Sequence, residues 1–74
     1  MSEMNIMDQT GHTSVTWDPE SPDEVSAARE TYDAMTKKGY SAFKVDRRGR
    51  QSEQIRSFDP DAAEIILVPQ LRGG

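Results

Sequence analysis

Apolar residues return at Val25, Ala28, Tyr32 and Met35, the three- and four-residue steps that place side chains along one face of a helix. The flanking residues fit that reading. Ser21 is a capping residue, Pro22 suits the first helical position, and Glu24 stands three residues after the cap, where it can close a capping box. Asp23 and Glu24 complement the positive end of the helix dipole, and Lys37 and Lys38 its negative end. Gly39 tolerates the left-handed conformation that ends many helices. A helix over residues 22–38 is predicted.

Elsewhere the pattern alternates. In "HTSVTWD", Val15 and Trp17 fall on one face and Ser14 and Thr16 on the other, as in a half-buried strand. Thr10-Gly11 is a turn candidate, separating this strand from a weaker one at residues 5–8, so the two read as a hairpin. Met1, Met4 and Met7 give the N-terminus an adaptable apolar character, most simply a weak edge strand. After the helix, "YSAFKVD" alternates with Phe43 and Val45 on one face, read as core, and Lys44 on the other. "RRGR" is a polar turn, and a short strand over 54–58 follows. "DPDA" reads as a turn capped by Asp59. The run "EIILV" is apolar on both faces, which belongs in the middle of a sheet, and Pro69 ends its ladder because proline has no N–H to donate. One helix across a mixed sheet of four to five strands, an α+β domain over residues 1–70 followed by a flexible tail over 71–74, buries all these faces.

Composition makes that core small. Leu, Ile, Val and Phe number 12 of 74 residues, although they cluster where the elements need them. There is no cysteine, which removes disulfides, thiolate metal sites and a cysteine nucleophile together. The N-terminus lacks the basic and apolar regions of a secretory signal, and no apolar run is long enough for a membrane span, so a soluble, cytoplasmic protein is expected. Charge is segregated. Residues 1–36 carry eight acids and one base, residues 37–56 seven bases and two acids, within a net charge of −4. Such a bipolar field orients a partner, while the acidic total argues against general nucleic-acid binding.

The chain closes on Leu71, Arg72, Gly73 and Gly74. A hairpin, a helix, further strands and this diglycine ending resemble the ubiquitin-like β-grasp family, whose relatives include ubiquitin itself and the bacterial sulfur-carrier proteins. The resemblance implies a carrier or modifier, not an enzyme, whose terminal carboxylate an adenylating enzyme activates before passing it to a downstream acceptor: a thiol, an amine or a sulfur donor. Two glycines suit that chemistry, since they leave a narrow channel unobstructed and open backbone angles closed to other residues. On this reading Gly74 is the acyl donor, Arg72 orients the tail through an enzyme carboxylate, and Leu71 anchors it in a pocket.

Other features carry a second reading. Lys44, Arg47, Arg48, Arg50 and Arg56 surround the predicted hairpin turn and could dock an acidic protein partner, making the chain a small interaction module or accessory subunit. Phosphate contact is a weaker use of the same residues. His12 has no second ligand of suitable type nearby, and Asp59, Asp61 and Glu64 lack the spacing of a calcium loop, so neither a metal nor a cofactor is expected. Trp17 is expected in the core.

Overall fold

A computed structural model describes residues 1–8, 11–46 and 52–69. It contains β1 (Ser2–Asp8), β2 (Gly11–Trp17), α1 (Pro22–Lys37), β3 (Tyr40–Val45), β4 (Ser52–Ile55) and β5 (Glu64–Pro69). The strands form one sheet in the order β2-β1-β5-β3-β4. β1 runs parallel to β5, and every other neighbouring pair is antiparallel. This is an α+β domain, a five-stranded mixed sheet with one helix, compatible with a β-grasp arrangement. Among the described residues no helix is long and apolar enough to cross a membrane.

The apolar run of β5 takes the central position expected of it, with Ile65 and Leu67 fully buried. β1 departs from expectation. It is longer than residues 5–8 and is an inner strand between β2 and β5, not an edge. The alternation of Ser2, Met4 and Ile6 explains this, because all three are buried on the helix side. Parallel pairing to β5, from Glu3 opposite Glu64 to Ile6 opposite Leu67, is a long-range contact with no local signature in the N-terminal sequence.

α1 begins at the predicted cap, with the Ser21 hydroxyl accepting from the Glu24 N–H at 3.5 Å. The return arm of the box is displaced. Glu24 accepts from the Asp18 N–H instead, since the Ser21 N–H is already donated to the Asp18 carbonyl. At the other end Lys38 caps and Gly39 turns the chain at φ 104°, a conformation that favours glycine. Ala28 and Tyr32 are the fully buried positions of the helix, and Val25 and Met35 pack beside them.

β3 is inverted relative to expectation. Ala42 is buried beneath the helix, Tyr40 packs against the core, and Lys44 shares their face; Phe43 and Val45 lie on the opposite face. Two features favour this register. A small residue at 42 leaves room for the helix, and Lys44 falls at the margin, where its ammonium reaches Asp59 at 3.2 Å. β4 is also shorter than residues 54–58: the chain bends after Ile55 and carries Phe58 out of the sheet. There Phe58 meets Trp17 at 5.2 Å and Tyr32 at 5.6 Å between ring centroids. The Trp17 indole N–H donates to the Pro60 carbonyl, and Asp59 accepts from the Asp61 N–H, so the β4–β5 connection is tied at successive residues.

The Tyr32 hydroxyl is buried with no hydrogen-bond partner among the described residues. Burial, then the neighbouring Asp33 carboxylate, push its pKa above the ordinary phenolic value. Its anion is disfavoured in the folded state, so stability is untouched at neutral pH and falls as pH rises above about 10, where the unfolded chain ionises first. Tyr32→Phe removes an unsatisfied group at little loss of volume. Urea unfolding is expected to show this variant within about 1 kcal/mol of the parent at pH 7, or more stable. Its advantage should grow above pH ~10. Leu67→Ala, which empties the sheet centre, is expected to cost about 2–5 kcal/mol.

Candidate functional site

Of the residues singled out in the sequence, Leu71, Arg72, Gly73 and Gly74 lie outside the described residues, as do Arg47, Arg48 and Arg50. The structure describes the chain up to Pro69, the last residue of β5. β5 is paired on both sides from Glu64 to Leu67 and with β3 alone over its last two residues, Pro69 standing opposite Tyr40 at the start of β3. Residues 70–74 therefore begin at the end of the central strand. Fully extended, five residues span at most about 18 Å.

Lys44 and Arg56 do not lie together. Lys44 is bonded to Asp59 and borders an open recess whose walls include Asp46, Glu53 and Asp61. Arg56 is exposed, past the far end of β4. Lys44 thus sits among carboxylates. His12 is exposed near the start of β2, and no group of three or more possible metal ligands occurs among the described residues.

The open face of the sheet carries a feature that reading the sequence missed. Strand alternation and register place Asn5, Met7, Ser14, Thr16, Ser41, Phe43, Val45, Glu64, Ile66 and Val68 opposite the helix. This face is divided. On the β3–β5 side, Phe43 stands opposite Ile66 and Ser41 opposite Val68, and Val45 extends the apolar strip. Met7, 40% exposed, shares this face of the sheet on β1, one residue past the last β1–β5 pair at Ile6 and Leu67. On the other side the Ser14 hydroxyl donates to Asn5 Oδ1 at 2.7 Å, and Asn5 Nδ2 donates to Glu64 Oε2 at 2.8 Å. A polar line across three strands thus borders a half-buried apolar strip that no described element covers. A solvated sheet face ordinarily turns polar residues outward, so a continuous apolar strip marks a surface suited to a protein partner. Its signal was present in "EIILV". Apolar residues on both faces placed the strand centrally, but only one face is packed by the helix, which leaves Ile66 and Val68 on the other.

No family model, curated protein or solved structure matches the chain.

The face assignment has a direct test in equilibrium unfolding. Phe43→Ser and Ile66→Ser are expected to leave a cooperative fold at a cost of about 1–2 kcal/mol each, below that of a fully buried large-to-small change. Lys44→Ala should cost under about 1 kcal/mol, because both partners of its ion pair are roughly a third exposed.

Proposed function

We propose that this protein is a ubiquitin-like carrier or modifier whose Gly74 carboxylate is activated by an adenylating enzyme and passed to an acceptor. The observation that supports this reading is that the described chain reaches its last residue, Pro69, at the end of the central strand. The segment ending in Leu71, Arg72, Gly73 and Gly74 continues directly from the central, doubly paired strand of a mixed sheet with one helix. On this reading the activating enzyme takes the residues after Pro69 into a channel that excludes the domain itself.

The chemistry is that of a donor. The terminal carboxylate attacks the α-phosphate of a nucleoside triphosphate bound by the enzyme, forming a mixed anhydride and releasing pyrophosphate. A thiol, amine or sulfur nucleophile then attacks the Gly74 carbonyl and expels the nucleoside monophosphate. Gly73 and Gly74 permit close approach, Arg72 pairs with a carboxylate on the enzyme, and Leu71 fills an apolar contact. The reading requires a free Gly74 carboxylate, whether encoded as the last residue or exposed by cleavage. The strip at Phe43, Ile66 and Val68 offers the enzyme a grip on the body beside the tail's root.

A second reading is favoured by the same strip: a binding module whose uncovered sheet face engages a partner, with or without the bases at 44–56. The two separate cleanly. Deleting Gly73 and Gly74 is expected to leave thermal unfolding unchanged while abolishing heavier covalent species, or terminal sulfur loading, in cells expressing the protein. If function survives the deletion and is lost with Phe43→Ser or with charge reversal at Arg47, Arg48 and Arg50, the binding-module reading replaces the carrier.

A further inference from the structure

The two edges of the sheet are built differently. β4 is four residues long and carries Glu53, so it offers little to another strand. β2 is seven residues long, pairs only with β1 among the described residues, and is matched to it residue for residue from Ser2 opposite Trp17 to Asp8 opposite Gly11. It has no bulge, no proline and no charge. Residues 9–17 are the longest uncharged run in a chain in which 30% of residues are charged. Natural edges are normally blunted by shortness, charge, proline or a bulge, because their unpaired N–H and C=O groups template further pairing. β2 carries none of these.

We propose that β2 pairs with β2 of a second copy, antiparallel about a two-fold axis at Ser14, giving a concentration-dependent dimer with a continuous ten-stranded sheet. A second copy is the occupant the composition favours. A strand free of charge meets its own image without like-charge repulsion, despite the net charge of −4 on each copy. In this register Ser14 faces the partner's Ser14, and Thr13 and Thr16 face the partner's Val15 and His12, pairings that suit a sheet. Each residue meets one of the same face, so both helices lie on one side and both open strips on the other. The tail platform at the end of β5 stays clear of the junction, two strands away from the β2 edge.

Sedimentation equilibrium of the full chain, from micromolar to millimolar protein, tests this. The expected result is a monomer–dimer equilibrium. Ser14→Lys or Ser14→Glu alone is expected to raise the dissociation constant about tenfold or more, since like charges then meet at the axis. Mixing the two variants should restore association, and Gln54→Lys on the opposite edge should change nothing. Thr16→Lys tests the same edge without disturbing the Ser14–Asn5 hydrogen bond, with Trp17 fluorescence reporting that each variant is folded. A parent monomeric at every concentration overturns the proposal. So does a dimer indifferent to the β2 substitutions, or a Lys–Glu mixture that remains monomeric; the latter two would assign the association to another surface or to an extended peptide-like pairing without the two-fold.

Discussion

Double-sided pairing of β5 is the constraint on which the rest of this structure depends. All six of its residues pair antiparallel with β3 and the first four, Glu64 to Leu67, pair in parallel with β1, so among the described residues the N-terminal strand and the strand after the helix are joined in the sheet through it. Ile65 and Leu67 fill the helix side of that junction and are fully buried. In a chain with so few large aliphatic residues, the core has little redundancy, and the aromatic group of Trp17, Tyr32 and Phe58 supplies much of the remaining packing. Arg29 completes that group from the helix, its guanidinium 5.9 Å from the Phe58 ring centre.

The same strand that holds the sheet together also shapes its exposed surface. Alternation sends Ile66 and Val68 to the face without a helix, beside Phe43, while Asn5 ties Glu64 to Ser14 across the neighbouring strands. One strand thus contributes to the core, to an apolar strip and to the origin of the C-terminal segment. On the proposed carrier reading, a partner that grips the strip is held at the same element from which residues 70–74 continue.

Local chemistry was legible in the sequence where local interactions decide the structure. The Ser21 cap, the helical stripe through Tyr32, the burial of Trp17 and the Asp59 turn all depend on residues within a few positions or on simple alternation. What escaped depends on distant partners. β1 is inner because β5 accepts it in parallel. Phe43 is outside because Ala42 meets the helix side and Lys44 finds Asp59 fifteen residues on. Phe58 leaves β4 because Trp17 and Tyr32 offer it a better environment than the sheet does. The apolar strip was hidden for the same reason. A run such as "EIILV" reports that a strand is central, not which of its faces a helix covers.

The proposed donor role of the C-terminus has a direct measurement in intact-mass and peptide mass spectrometry of the protein recovered from its native cells, focused on the state of Gly74. The account predicts that a fraction of Gly74 carries a thiocarboxylate or is joined through its carbonyl to another molecule. Gly74 found only as an unmodified carboxylate across growth conditions, or followed always by further residues, would contradict it.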